Sequence, residues 1–341
     1  MKKKITKEDL IIVGMLFLAV IISSIFIFNK FLYNGIDTTY HLSRIIGITN
    51  SWKSGDLLAY IHLDNSGYGY AMGFFYSNLF MIIPSILYML GMNIILIYKI
   101  FVVVCAICTA ISMYICTKKI SKSRYAGIVA SFLYTTSGYR IITLVAKGFI
   151  GEVLSFIFVP IIILGLYEII YNNEKKWWVF ALGFIGLLNS NLVMTEIMIA
   201  ISVLFIIFNI KKIIIKKTRL YAILKATIIS LLVTSMLWLP MLEQLQKSTF
   251  KMKELVNVYN PKRWLLEPLN MFKGTVQYRD NLASAYGLGI IFVAIMLLRL
   301  TIKNKNELKL KFCDISIMIG LMLLLCTTNV FPWQYLNKIG G

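Results

Sequence analysis

Apolar stretches of about twenty residues recur along this chain, separated by short basic connections, and no water-soluble core can absorb that many. A helix needs about 20 mostly apolar residues to cross the hydrocarbon layer of a bilayer. The run 10–28 meets that length, and further runs follow at 94–116, 125–146, 153–171, 177–189, 192–210, 221–240, 285–301 and 313–330. With 59% of residues hydrophobic and 15% charged, too little polar surface remains to coat a soluble domain of 341 residues. The chain therefore reads as one all-α polytopic membrane domain, residues 1–341, with about nine transmembrane helices.

The net charge of +20 does not point to nucleic acid, because the cations lie in short loops between apolar runs and gather on no soluble face. Cys105, Cys108, Cys116, Cys313 and Cys326 fall in or beside apolar runs and read as small core residues rather than a disulfide framework or zinc site. The first run is too long for a signal peptide and no small-residue cleavage site follows it, so it reads as a retained span. Lys2, Lys3, Lys4 and Lys7 place the N-terminus in the cytoplasm, as do the basic loops at 118–124, 175–176, 211–219 and 303–311 for their own positions. The first span leaves the cytoplasm and Lys118 is back inside it, so an odd number of crossings must lie between them. The stretch 74–90, which carries Ser77, Asn78, Pro84 and Ser85, reads as a re-entrant or surface-lying helix. This makes 30–93 one long extracytoplasmic loop with interfacial helices, makes 241–284 a second, and leaves the C-terminus outside.

Fifteen carboxylates are present, so where they fall is informative. Those on the cytoplasmic side sit in loops too short to build a site. The outer side holds both histidines, His41 and His62, and most of the acids. Asp37, His41 and Arg44 are spaced i, i+4, i+7, which puts them on one face of a helix whose other side is Leu42, Ile45 and Ile46. Such a face could take a proton and hold a phosphate. It could equally be an interfacial helix that Asp37 caps and whose His41 and Arg44 meet headgroups, and spacing leaves both readings open. The loop 67–73, with three glycines and two tyrosines, suits a tight interfacial turn or the lining of a sugar or lipid-phosphate pocket.

A second candidate runs from Tyr139-Arg140 to Lys147 and Glu152, where a carboxylate opens a span with two cations nearby. Glu152 could instead stabilise its helix N-terminus. Glu196 lies within a span and is expected to face the bundle interior and find a partner, while Lys99 either snorkels or binds a phosphate. The later outer loop adds Lys247, Lys251, Lys253, Lys262, Arg263 and Lys273, against the positive-inside pattern, which hints at an anionic ligand.

The order of these features carries a resemblance: Asp37 to Ile46, the turn 52–56, the loop 67–73 with its apolar helix, Gly151-Glu152 before a long span with Pro160, then 238–243 and 329–333. It resembles the bacterial YfhO-like and "6-pyruvoyl-tetrahydropterin synthase-related" membrane proteins, which look like members of the GT-C glycosyltransferase superfamily. The resemblance implies a GT-C-like helical bundle in the bacterial cell membrane. Its active face would be extracytoplasmic, and it would move a sugar from a polyprenyl-phosphate-linked donor to a cell-surface polymer or glycolipid acceptor. It implies Asp37 as base, Glu152 as second acid with His41 beside them, and Arg44, Arg140, Lys147 and Lys99 around the donor phosphate. No residue is assigned to a metal. Thr38 follows Asp37 where many members carry a second acid, which leaves the need for a divalent cation open. Relatives usually continue with further spans and an outer domain, so the chain is expected to be the N-terminal part of a longer protein.

Two other classes compete. A lipid-carrier transporter or flippase would place polar groups near the midplane on broken helices. A non-catalytic protein of envelope assembly would have no converging site.

Overall fold

The computed structural model describes residues 6–29, 32, 35–62, 68–247, 267–272, 288–302 and 308–333. Among these residues the chain is helical apart from turns, short loops and one isolated bridge between His62 and Tyr70. Contacts divide it into two units, Met1–Lys247 and Ser248–Gly341.

In the first unit, α1 (Lys7–Ser24) starts at a capping box in which Thr6 and Asp9 satisfy each other's backbone donors. α2 (Thr38–Lys53) and the short α3 (Ile82–Met89) follow, then α4 (Ile94–Ser121), capped by Asn93 and ended by Lys122 in the left-handed region. α5 (Arg124–Thr135) runs through α6 (Gly138–Ile142) into one wide helical turn, Thr143–Lys147. α7 (Ile150–Tyr171), α8 (Trp177–Leu188), α9 (Leu192–Phe208) and α10 (Ile210–Ile215) lead to α11 (Lys217–Val233) and α12 (Ser235–Lys247).

Four helical stretches are long and apolar enough to cross a membrane: Lys7–Phe28, Ile94–Ser121, Arg124–Lys147 and Ile150–Tyr171. α11 and α12 qualify together as a fifth, bent by 72°. The expected span 221–240 is thus broken at Thr234. Thr234 turns its hydroxyl back to the Ser230 carbonyl at 2.8 Å. Beyond it, Pro240 has no N–H to offer the Met236 carbonyl. The Tyr60 hydroxyl supplies the missing donor at 2.8 Å. The stretch 74–90 yields the helical segment Leu79–Met89, whose 11 residues rise only about 16 Å, short of a crossing. α8, read as a span over 177–189, has 12 residues and is likewise too short alone, at about 18 Å.

α7 is apolar all round and is the most enclosed of the four long helices, as a central helix should be. Small residues let α8 close on it. A Cβ on Gly165 would lie 2.5 Å from the Phe180 backbone, and one on Gly183 2.6 Å from Ile162. Hydroxyls tie the other neighbours to their carbonyls: Ser131 to Ala110 at 2.7 Å and Ser112 to Ile157 at 2.6 Å. At one end of the bundle Arg124 pairs with Glu8 and Asp9, and Lys176 with Glu168. α2, α3 and the start of α7 lie together at the other.

The second unit includes a one-turn helix (Pro268–Phe272), α13 (Leu288–Thr301) and α14 (Leu308–Cys326), with Arg299 making two bonds to Asp314 at 2.6 and 2.9 Å. Lys251, Lys253, Lys262, Arg263 and Lys273 of the expected second outer loop lie outside the described residues, as do Lys2–Lys4 and most of the basic loop 303–311. Lys247 is described and pairs with Glu243 four residues earlier. Glu196 is exposed on the surface of α9 rather than turned into the bundle.

Candidate functional site

The start of α2 is pinned to the turn before α7. Asp37 N–H donates to the Lys147 carbonyl at 2.9 Å, and Ile36 N–H to that of Ala146 at 3.4 Å. Glycine at 148 allows this approach. Gly148 ends the wide turn at φ +70, and a Cβ there would sit 2.5 Å from the Thr38 hydroxyl. Asp37 stands at the N-cap position of α2, yet its side chain makes no capping hydrogen bond, so the capping role that spacing allowed is not filled. Partial burial raises the pKa of its carboxyl from the ordinary aspartate value.

His41 and Arg44 do not face outward. Both are buried, at 2% and 1% exposure. Arg44 donates through Nη2 to the Ser77 carbonyl at 2.9 Å, and its guanidinium lies 4.2 Å from the Tyr76 ring centre and 5.9 Å from that of Tyr40. Among the described residues its Nε and Nη1 have no partner, and neither do the Tyr40 hydroxyl and His41 Nδ1. The buried cation thus keeps two unspent donors of its own beside two further unspent polar atoms, although buried polar groups are normally satisfied. Burial, seconded by the Arg44 charge, drives the His41 pKa down to about 3, so this imidazole is neutral at physiological pH.

That shift has a testable sign. The unfolded imidazole takes a proton near pH 6.5 and the folded one refuses it down to about 3, so stability is complete above 6.5 and drains away as pH falls through that window. Melting temperatures in detergent should fall on acidification, and His41→Gln should flatten part of that slope. Equal slopes in the two proteins would contradict a buried neutral histidine.

Tyr76, which the sequence did not single out, joins the two candidate segments. Its hydroxyl meets Gly151, where an added Cβ would collide with it. Burial raises the Tyr76 pKa, and Arg44, Asp37 and Glu152 all lie close enough to act on it. Glu152, 9% exposed, accepts a hydrogen bond from the Tyr139 hydroxyl. Lys147 holds its ammonium 5.3 Å from the Tyr139 ring centre and 5.6 Å from that of Phe149. Asp37, His41, Arg44, Lys147 and Glu152 thereby assemble around Tyr76 and Tyr139.

Two expected members lie apart. Lys99 donates to the Asn29 carbonyl at 2.6 Å. Arg140, fully buried, donates to the Thr135 carbonyl at 3.4 Å and sits with Tyr134 and Cys105, its Nε and Nη2 unpartnered among the described residues. His62 meets Asn78 Oδ1 at 3.2 Å and bridges Tyr70 through its backbone, which makes it part of the loop's framework. Among the described residues no three His, Cys, Asp or Glu side chains gather so as to hold a metal ion.

The family described as "Bacterial membrane protein YfhO" matches residues 62–335. The chain belongs to the YfhO family. The match takes in Tyr76, Tyr139, Lys147 and Glu152 and begins after α2. No curated protein and no solved structure matches the chain. Membership and the apolar helices together make this a membrane protein of bacterial type.

Proposed function

We propose that this YfhO-family chain is a GT-C-type membrane glycosyltransferase that takes a sugar from a polyprenyl-phosphate donor at the extracytoplasmic face. The observation that carries the reading is the buried Arg44 guanidinium, with two unspent donors, and the Asp37 carboxyl, which caps nothing, both close enough to act on Tyr76. Asp37 accepts the proton of an acceptor hydroxyl on a cell-surface polymer or glycolipid. The freed oxygen attacks the anomeric carbon of the sugar. The bond from that carbon to the carrier phosphate breaks, and the phosphate leaves with the electron pair. The Arg44 guanidinium, with Nε and Nη1 unspent, would offset that developing charge. Glu152, aligned by Tyr139, is the second acid, and Lys147 supplies a further cation. Nine crossings with a cytoplasmic N-terminus would put this face outside, where nucleotide sugars are absent and a lipid-linked donor is the available one.

The reading is tested by giving membranes that contain the chain a radiolabelled polyprenyl-phosphate sugar and following label into surface polymer and glycolipid. Label should move only where the chain is present. Equal incorporation in membranes lacking it would sink the proposal. A lipid-carrier transporter is the second reading, favoured by the bent pair α11–α12 and by Arg140, a buried cation with free donors. It would move the labelled lipid between leaflets without transferring the sugar.

A further inference from the structure

The proposed sugar transfer leaves Arg140 unused. This side chain lies inside the span Arg124–Lys147 and has none of its surface exposed. A guanidinium keeps its charge in any protein, and a charge taken wholly out of water is costly unless something pairs with it. Among the described residues no carboxylate does so. The one bond from Nη1 goes to the Thr135 carbonyl and is long, at 3.4 Å, while Nε and Nη2 have no partner. Its titratable neighbours, Tyr134 and Cys105, are a phenol and a thiol, which carry no charge at physiological pH. Glu152, the next carboxylate along the chain, is taken by the Tyr139 hydroxyl.

Two further side chains add donors at the same place. The hydroxyls of Thr135 and Thr143 are fully buried and, among the described residues, have no partner either. Thr143 follows Arg140 by three positions and so shares its helix face, while Thr135 supplies the carbonyl that Arg140 reaches. The two threonines flank a break in the span. α5 ends at Thr135, α6 begins only at Gly138, and the turn Thr143–Lys147 is wide. Broken and over-wide turns inside membrane helices recur where an ion is held. Here the unspent groups are N–H and O–H donors around one positive charge, which suits an anion and repels a cation.

The surroundings set its charge and size. Cys105 belongs to a buried apolar cluster with Val102, Leu144, Ile150 and Val153. The next cation along the chain, Lys147, lies against the Tyr139 and Phe149 rings instead. One guanidinium balances a monovalent ion, whereas a phosphate would bring excess negative charge among apolar groups. We propose that Arg140, with the hydroxyls of Thr135 and Thr143, binds a chloride ion inside the helix bundle at the α5–α6 break. The ion neutralises the guanidinium and makes the stability of the fold depend on chloride. This site is independent of the transferase reading and stands or falls without it.

The full-length protein, purified in detergent, is melted in sodium gluconate with sodium chloride titrated in at constant ionic strength. The melting temperature should rise with chloride and saturate, as a ligand of the folded state requires. Bromide should replace chloride in this, and gluconate should not. Arg140→Gln should melt at a temperature that chloride no longer changes. Thr135→Val and Thr143→Val keep the guanidinium and the side-chain shape, and carry the test if the first variant folds poorly. Each should raise the half-saturating chloride concentration about tenfold, the loss of one hydrogen bond to a charged group. A wild-type melting temperature indifferent to chloride would overturn the proposal, and so would a chloride response that all three variants retain unchanged.

Discussion

Arg44→Gln is expected to slow sugar transfer by about a hundredfold or more, the loss seen when one preorganised donor is taken from a developing anion. Glutamine keeps a planar amide and much of the side-chain length, so packing against the Tyr76 ring is disturbed less than the charge. Arg44→Lys keeps the charge and loses the planar guanidinium with its several fixed donors, and should recover only part of the rate. The guanidinium also holds the Ser77 carbonyl, so a purely structural role must be separated from a role toward the donor. Donor-concentration series separate them. A phosphate-holding Arg44 changes both the turnover rate and the apparent affinity for the lipid-linked sugar. A structural one lowers the amount of folded protein in proportion to activity. Near-normal transfer by Arg44→Gln would contradict the assignment.

Asp37→Asn should cost more still if proton removal limits the rate, about a hundredfold to ten-thousandfold for a positioned general base. Asparagine matches the carboxylate in shape but takes no proton. Because burial raises the Asp37 pKa, wild-type activity should climb with pH through a limb shifted upward from the ordinary aspartate value. The Asp37→Asn protein should show a low, flat profile there. Its stability carries the opposite sign. A carboxyl whose pKa is raised on folding costs stability once pH exceeds that pKa, so Asp37→Asn should melt at the same temperature or higher at neutral pH. Lost activity together with lost stability would instead make Asp37 a structural residue.

How far the site could be read from residues alone follows from what spacing can and cannot encode. The i, i+4, i+7 set of Asp37, His41 and Arg44 is a local property of one helix, and α2 contains His41 and Arg44 with Asp37 at its cap position. Glu152 at the opening of an apolar run is just as local. Tyr76 was invisible because its role depends on packing between segments about 75 residues apart, against Gly151, and a tyrosine after a glycine-rich loop has many other uses. Lys99 and Arg140 looked like members because they are cations near the right boundary. Which way each points is set by α4 and α6 packing, which no spacing rule encodes, and the Asn29 and Thr135 carbonyls lay within reach. Apolar run length finds spans well when the helix is straight, as in α4 and α7. It missed the break at Thr234, where hydroxyl back-bonding and Pro240 divide one apolar run between two helices.

A lipid-linked donor is met only if the Arg44 cluster faces the outside of the membrane, and cysteine accessibility tests that directly. In a background with Cys105, Cys108, Cys116, Cys313 and Cys326 replaced by serine or alanine, Tyr68→Cys puts a thiol at a position 91% exposed beside the site, and Lys175→Cys puts one on an exposed turn at the other end of the bundle. A membrane-impermeant maleimide on intact cells should label the Tyr68→Cys protein and leave the Lys175→Cys protein untouched until the cells are opened. The reverse pattern in intact cells, with Lys175→Cys labelled and Tyr68→Cys not, would turn the site toward the cytosol and contradict the account.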